Sequence, residues 1–466
     1  MLKRGSEITV EVEKFADRGK SIARVDGYVV FVPGGVPGDR IRVRVTKAKR
    51  KYAEAIPIEV LEASSDRILP ECPYFGTCGG CKWQHVNYQA QLEAKRLSVQ
   101  EALEHHGGFE GIDVLPTIGS EQIFGYRNKM EFSFSAERWL TTEEIATDEV
   151  FDTSFALGLH APGSFNKVLD IEECHLHPKV GNRLLNGIRS FVLENGWLPW
   201  HIRNHTGYLR HLVFRFASAT NDLMVNLVTS RFDADRMEQF SAYLQSSFPE
   251  VTTFVNTINS TVAQTAFGEE TKTIFGPGTI VEKIGDQQFE IASNAFFQTN
   301  TNQAKKLYEI SADYADLKSD DLVYDLYSGA GTISLFVADR VRQVVGIELI
   351  EEAVENARQN AKSNGVENVT FVTGDMMRIF KDDLIDEYGR PDVLIVDPPR
   401  AGMHPKVVKQ IGRLRPERFV YISCNPLTQA KDLALLNEDY SIEMVQPVDL
   451  FPHTYHVENV VKLRAR

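Results

Sequence analysis

Five short apolar runs in the last third of the chain each end in an acid or a thiol, and no other feature constrains the fold as much. Leu322-Val-Tyr closes on Asp325, Val344-Val-Gly-Ile on Glu348, Val369–Val372 on Gly374-Asp375, Val393-Leu-Ile-Val396 on Asp397, and Phe419-Val-Tyr-Ile422 on Ser423-Cys424. Runs of this length, alternating with helical patterns, predict strands of a doubly wound parallel sheet buried on both faces. Core strands have no structural need for a charge at one end. A row of them means that one rim of the sheet is polar, and ligands of open α/β sheets bind beyond the carboxyl ends of the strands. Pro426 stops the fifth ladder, which leaves Cys424 at that rim. A lone Cys is ordinarily a small buried hydrophobe; the acids around this one reverse that default.

The turns beyond these strands narrow the ligand. After Asp325 the chain reads Leu-Tyr327-Ser328-Gly329-Ala-Gly331. Two glycines allow a tight turn and close approach of a ligand, but the third glycine of a pyrophosphate cradle is missing. Glu348, about twenty residues on, suits paired ribose hydroxyls. This layout serves NAD or S-adenosylmethionine equally. Near the C-terminus, Asp449-Leu-Phe451-Pro-His453-Thr454-Tyr-His456-Val-Glu458 makes a constrained polar approach to the same rim, with Glu458 opening the last strand.

A chain of 466 residues is too long for one core. We divide it into a small β-barrel (1–63), a β-rich central domain (64–290) that includes a helix over 88–106 ended by Gly107-Gly108, and the α/β domain (291–466). Leu92, Leu97 and Leu103 are the expected core face of that helix. In the barrel, Arg40-Ile-Arg-Val-Arg-Val45 alternates strictly, so Ile41, Val43 and Val45 share one face and Arg40, Arg42 and Arg44 the other. The whole chain carries a net charge of −13, yet residues 1–70 hold 14 Lys+Arg against 10 Asp+Glu. Screening confines distant charge to about 8–10 Å, so a local basic face beside Tyr28 and Phe31 can bind an RNA backbone on an acidic protein. Tyr126-Arg-Asn-Lys129, and the group Arg203, His205, Tyr208, Arg210 and His211, are two further candidate RNA contacts; surface charge is the plainer reading of both. The N-terminus lacks an apolar signal region, and no run is long enough to span a bilayer, so a cytoplasmic protein without a membrane partner is expected.

Three of the five cysteines crowd into Cys72-x5-Cys78-Gly-Gly-Cys81. In a reducing compartment that spacing favours a metal site over disulfides. Cys174, in Glu-Glu-Cys-His-Leu-His177, is the fourth soft ligand that leaves Cys424 free. Four thiolates suit a [4Fe–4S] cluster or Zn²⁺. The single C-x2-C pair argues for iron, whereas His85, His175 and His177 keep zinc open.

Phe297-Gln298-x-Asn300, Asp325-Leu-Tyr-x-Gly-x-Gly331, Asp397-Pro-Pro-Arg400, Ser423-Cys424-Asn-Pro426 and Phe451-Pro-x-Thr454-x-His456-x-Glu458 together resemble the RNA uracil-5-methyltransferase family. The first 63 residues resemble the TRAM domain, an OB-like RNA-binding barrel. With the cysteine spacing, the resemblance covers nearly the whole chain and points to the branch acting on 23S ribosomal RNA. It implies a [4Fe–4S] cluster on Cys72, Cys78, Cys81 and Cys174; S-adenosylmethionine contacts at Gln298, Tyr327, Glu348 and Asp397; Cys424 as nucleophile and Glu458 as base; a Rossmann-like C-terminal fold; and a monomer bound to 23S RNA partly through its barrel. Ser328 departs from relatives that often carry Cys there. A tRNA uridine is the alternative substrate. Two other readings compete: an RNA N-methyltransferase, since Asp-Pro-Pro is close to an amine-binding motif, and an iron–sulfur RNA-binding redox sensor. The first leaves Cys424 and Glu458 without a task, and the second leaves the polar rim unexplained.

Overall fold

Strict alternation in residues 40–45 demands a strand with one apolar face, and the computed structural model, which describes residues 2–164, 166–380 and 382–466, closes that face inward. Strands β1 (Glu7–Phe15), β2 (Lys20–Val25), β3 (Tyr28–Pro33), β4 (Arg40–Ala48) and β5 (Tyr52–Glu62) form a closed barrel in the order β1-β2-β3-β5-β4. Val10, Val12, Val30, Val32, Ile41, Val43 and Val45 fill it. The outward arginines are not an unmatched stripe, which corrects the sequence expectation. Pairing with β1 and β5 sets an acid opposite each: Arg40 meets Glu62 at 2.6 Å, Arg42 meets Glu59 at 2.8 Å, Arg44 meets Glu7 at 2.9 Å and Lys47 meets Glu54 at 3.4 Å. Lys49, Arg50 and Lys51, between β4 and β5, are exposed and have no ion pair among the described residues.

The central sheet runs β12-β11-β10-β9-β6-β7-β8. Its strands are β6 (Lys129–Ser135), β7 (Ala156–His160), β8 (Val168–Asp170), β9 (Leu209–Phe216), β10 (Leu223–Thr229), β11 (Thr253–Ile258) and β12 (Glu270–Phe275). Two helices that the sequence reading did not name, Lys179–Glu194 and Ala234–Ser247, cover one face. Leu184, Ile188, Phe240 and Leu244 pack there against Phe132, Leu212, Phe214 and Leu227. All eight residues of β9 are buried, so the proposed RNA cluster at 203–211 is divided. Arg210 points inward and donates to the carbonyls of Asn259 (2.7 Å) and Ala263 (2.6 Å), a structural role.

The hairpin β13 (Thr279–Ile284)–β14 (Gln287–Ala292) leads into the second large sheet. That sheet comprises β15 (Leu322–Leu326), β16 (Gln343–Glu348), β17 (Val369–Thr373), β18 (Val393–Val396), β19 (Arg418–Ser423), β20 (Tyr440–Val448) and β21 (Glu458–Ala465), in the order β17-β16-β15-β18-β19-β21-β20. The first five are parallel, and β21 runs antiparallel to both neighbours. Alternate residues feed two cores. Val323, Val344, Ile395 and Val420 pack with the Thr301–Ala315 helix and the β13–β14 hairpin. Tyr324, Ile347, Leu394 and Tyr421 pack with the Pro405–Leu414 and Pro426–Leu436 helices.

Residues far upstream belong to these cores. The Tyr88–Ala102 helix and the single turn Leu103–Gly107 bring Val99, Ala102 and Leu103 into the second core. The helix buries Gln91, Ala94, Lys95, Val99 and Ala102, whereas Leu97 is exposed, contrary to the leucine face read from the sequence. Beyond it, the amides of Leu115 and Ile118 bond to Val445 and Pro447 and cap the open edge of β20.

At the opposite end of this sheet from the polar rim, Arg418 and Asp321 form a bidentate pair at 2.5 and 2.8 Å, both nearly solvent-free. It ties the start of β19 to the residue preceding β15. Arg418→Met leaves the Asp321 charge buried alone, and we expect a loss of about 3–5 kcal/mol in unfolding free energy. A urea-unfolding midpoint that hardly moves would remove the pair from the sheet's supports.

Candidate active site

Each strand of the second sheet ends where the next helix must begin, and those short turns carry the polar rim. After β15 the chain turns so sharply that Tyr327 adopts φ +67° and the amides of Tyr327 and Ser328 both bond to the Ile347 carbonyl at 2.9 and 3.0 Å. Gly331 (φ +78°) passes so close to Phe371 that a Cβ would lie 2.6 Å from its ring; at Gly329 the same construction meets open space. Glu348 is held in the turn by the amides of Gly329 (3.0 Å), Leu349 (2.8 Å) and Ile350 (3.0 Å). The Gln298 carbonyl accepts from Asn128 at 2.8 Å, and its side-chain amide makes no hydrogen bond among the described residues. Gln298, Tyr327, Glu348 and Asp397 thus all stand at the strand-end rim or the segment beside it.

Cys424 follows β19 and precedes Asn425, which caps the Pro426–Leu436 helix by accepting from the Leu427 amide. The antiparallel register pairs Ser423 with Asn459, so the next residues along, Cys424 and Glu458, face one another across β19 and β21. Asn425 and Thr428 both donate to the Arg400 carbonyl (2.9 and 3.3 Å), fastening the Asp397-Pro-Pro-Arg400 turn beside the thiol. Cys424 is half-buried. Burial, then the charges of Glu458 and Asp397, push its thiol up to about 11, and Arg400 opposes them. Glu458 is 5% exposed. Burial and then Asp397 raise its carboxyl well above the usual range, again against Arg400. Asp397 is pushed up to about 7 by burial and then by Asp325. Asp325, also at about 7 through burial, accepts from Ser334 at 2.6 Å on one oxygen, while the other is buried without a partner. Three acids and a thiol thus act on one another beside one guanidinium, a site short of positive charge.

Sequence reasoning missed several contributors. Arg400 stood in a recognised motif but had no role; it also lies 3.3 Å from His456 Nδ1. Phe296, beside Gln298, is a 78% exposed aromatic at the rim. Arg127 and Asn128, by contrast, lie in the Tyr126–Lys129 stretch already singled out in the sequence, and they line a cleft of about 540 Å³ with Phe216, Asp222 and Asn302. A strand entry rich in Arg and Asn was the available signal for that cleft; a phenylalanine pair gives none for which ring faces out.

The cysteine loop lies elsewhere. Cys78 and Cys81 pack on the central core beside Cys174, and the charges of Cys72, Cys78 and Cys81 all act on Cys174. Burial pushes Cys81 and Cys174 up to about 12. Gln84 donates to the Cys81 sulfur (3.2 Å) and the Gly80 amide to that of Cys78 (3.4 Å). Among the described residues, no three His, Cys, Asp or Glu side chains are grouped so as to hold a metal ion. The His85 ring packs on Phe75, between Cys72 and Cys78 in the loop.

The family model described as tRNA (Uracil-5-)-methyltransferase matches residues 216–466, and that of the TRAM domain matches residues 2–58. A protein of Bacteroides thetaiotaomicron named an uncharacterized RNA methyltransferase is 43% identical over 97% of this chain and all of its own. One of the same name from Porphyromonas gingivalis is 44% identical, covering 97% and 99% of the two chains. Among solved structures, the Pyrococcus abyssi tRNA (uracil-54, C5)-methyltransferase in complex with S-adenosyl-L-homocysteine superposes with a TM-score of 0.76, at 29% identity, over 98% of this chain and 100% of that one.

The raised carboxyls make stability pH-dependent. An unfolded Asp ionises near 3.9, whereas folded Asp325 does so at about 7. As pH rises between these values, only the unfolded state ionises, so the stability this carboxyl contributes is complete below the lower value and lost as pH climbs through the upper. Asp325→Asn is therefore expected to gain thermal stability over the parent by about 2 kcal/mol more near pH 8.5 than near pH 5.5. An equal difference at both pH values, by calorimetry, would show the carboxyl unshifted.

Proposed function

This chain belongs to the tRNA (uracil-5-)-methyltransferase family of S-adenosylmethionine-dependent RNA methyltransferases, with an N-terminal TRAM domain, and on that premise we propose that it methylates C5 of a uridine in 23S ribosomal RNA. The observation that carries the chemistry is the meeting of Cys424 and Glu458 across β19 and β21, beside Asp397 and Arg400.

Uracil C5 is too weak a carbon nucleophile to take a methyl group unaided. The Cys424 thiolate adds at C6 and the ring becomes an enolate. C5 then attacks the sulfonium methyl, leaving S-adenosylhomocysteine. Glu458 removes the C5 proton, the C5–C6 double bond re-forms and the thiolate departs. A thiol at about 11 is poorly ionised at neutral pH; Arg400 and the helix that begins beyond Cys424 both favour the thiolate. A carboxyl raised above the usual range suits a base that must hold a proton after one step and release it before the next. Asp325, Asp397 and Glu458 together favour a cation, which the sulfonium supplies. Glu348 takes the ribose hydroxyls, and Tyr327 and Gln298 flank the cofactor. Phe296 gives the extruded base a stacking face, with Arg127, Asn128 and the Lys49–Lys51 turn on the RNA backbone.

Barrel and cysteine spacing, through the family resemblance, support 23S RNA and a monomeric enzyme of three units divided near residues 63 and 290. A tRNA uridine is the second reading. The P. abyssi enzyme, named for tRNA, spans all the parts of this chain, so overall architecture does not separate the two. N-methylation leaves Cys424 and Glu458 idle.

Cys72, Cys78, Cys81 and Cys174 fit a [4Fe–4S] cluster. Cys78 and Cys81 pack on the core beside Cys174, the charges of all three loop cysteines act on it, and the sulfurs of Cys78 and Cys81 already accept N–H groups, as the thiolates of such a cluster would. When bound, the cluster would cross-link the 72–81 loop to the segment carrying Cys174; no methyl-transfer step passes through it.

Cys424→Ala is expected to abolish turnover and the covalent complex with 5-fluorouridine-substituted 23S transcripts. Glu458→Gln should form an adduct with unsubstituted RNA and release it about 10²–10⁴-fold more slowly. Equal loss of adduct in both variants rejects the assigned roles, and adducts on tRNA transcripts alone reject ribosomal RNA. Anaerobically prepared protein should hold about four iron atoms per chain, falling on Cys→Ser at any of the four positions. Iron content indifferent to these changes would end the cluster assignment.

A further inference from the structure

Glu458 stands at the end of a nine-residue connection, Asp449–Val457, between β20 and β21. No helix or strand shapes this strap; side chains from elsewhere hold it. The Lys95 ammonium lies 2.5 Å from Asp449 Oδ1, both side chains wholly buried, and it also donates to the Phe451 carbonyl at 3.1 Å. Asp449 Oδ1 accepts from the Phe451 amide (2.9 Å), and Oδ2 from the Tyr88 hydroxyl (2.9 Å). One turn earlier on the same helix, Gln91 accepts from the His453 amide at 2.9 Å. His453 is held at φ +66°, and its carbonyl receives the amides of Lys82 and Trp83 at 2.8 and 3.0 Å. On the other side Asn300 and Gln303 donate to the carbonyls of Leu450 (3.1 Å) and Asp449 (2.8 Å).

A buried ion pair is a poor device for stability alone, because apolar residues of similar volume usually serve as well. What it supplies here is direction: the ammonium fixes Asp449 Oδ1 and the Phe451 carbonyl, and the carboxylate so held orients the Phe451 amide and the Tyr88 hydroxyl. We propose that Lys95 is a positioning residue for the methyl transfer. Through Asp449 it fixes the strap so that Glu458 and His456 stand opposite Cys424 and Arg400, and catalytic competence therefore depends on a helix more than 300 residues upstream. This rests on the reading of Glu458 as the base.

The test is the charge-free pair Lys95→Met with Asp449→Leu, which removes the strap's anchor without leaving a lone buried charge. The expected protein unfolds within a few degrees of the parent, binds S-adenosylmethionine unchanged and captures 5-fluorouridine RNA on Cys424. Its turnover on unsubstituted RNA falls about 10–100-fold with unchanged KM for the cofactor, because the released step is proton removal by a displaced Glu458. Amides 451–457 should exchange hydrogen faster. Turnover within about twofold of the parent overturns the proposal. Should the double variant not fold, Tyr88→Phe deletes one hydroxyl from the same network: about threefold slower turnover at unchanged cofactor binding is expected, and no change overturns it. Failure of the parent enzyme to capture the RNA on Cys424 would instead fall on the assigned chemistry, and this proposal with it.

Discussion

A lysine and an aspartate 354 residues apart meet at 2.5 Å in a place no solvent reaches. Neither could be buried alone, since an unpaired charge inside a protein costs several kcal/mol. Their meeting therefore obliges the Tyr88–Ala102 helix to dock on the C-terminal sheet and obliges the strap before β21 to follow a single path. Much of what makes the site a site follows from this: the strap delivers His456 and Glu458, its backbone receives the segment that carries Gln298, and its His453 carbonyl receives the chain just after Cys81. The segment before the Thr301–Ala315 helix, the cysteine loop and the strap thus meet at a few hydrogen bonds around one ion pair.

The electrostatics of the rim have a different origin. Asp325, Asp397 and Glu458 crowd because three strands of one sheet end together, and Arg400 is the guanidinium that acts on Cys424 and Glu458. Acids crowded in this way resist ionisation until a cation arrives. The same reasoning revises the barrel. Alternation made an arginine face, but register placed a glutamate beside each arginine, which leaves the turn at Lys49–Lys51 as the barrel's unpaired positive charge near 40–51.

Where pattern reading worked, the signal was local. Period-two alternation gave the barrel strand with Ile41, Val43 and Val45 inside. Apolar runs of three or four residues predicted β15, β16, β17, β18 and β19, with Cys424 just beyond the last. Where it failed, the deciding partner was distant. Leu97 looked like core and is exposed, while Lys95, which the leucine reading passed over, is buried, because the helix face is chosen by Asp449 and not by its own composition. Arg210 looked like an RNA contact and is a tether for the 259–263 loop. In β9, burial on both faces erased the alternation that would have told inward from outward.

From the sequence alone come the strands, the polar ends of the C-terminal ones, the crowding of three thiols between Cys72 and Cys81 and the lone Cys424, because each depends on neighbours along the chain and on the chemistry of single side chains. Only the tertiary structure decides that Cys424 faces Glu458, that Arg400 acts on both, that the barrel's arginines are already matched and that Lys95 holds the strap. Those are facts of register and long-range charge pairing, and a pair of residues hundreds of positions apart leaves no periodicity for a sequence to carry.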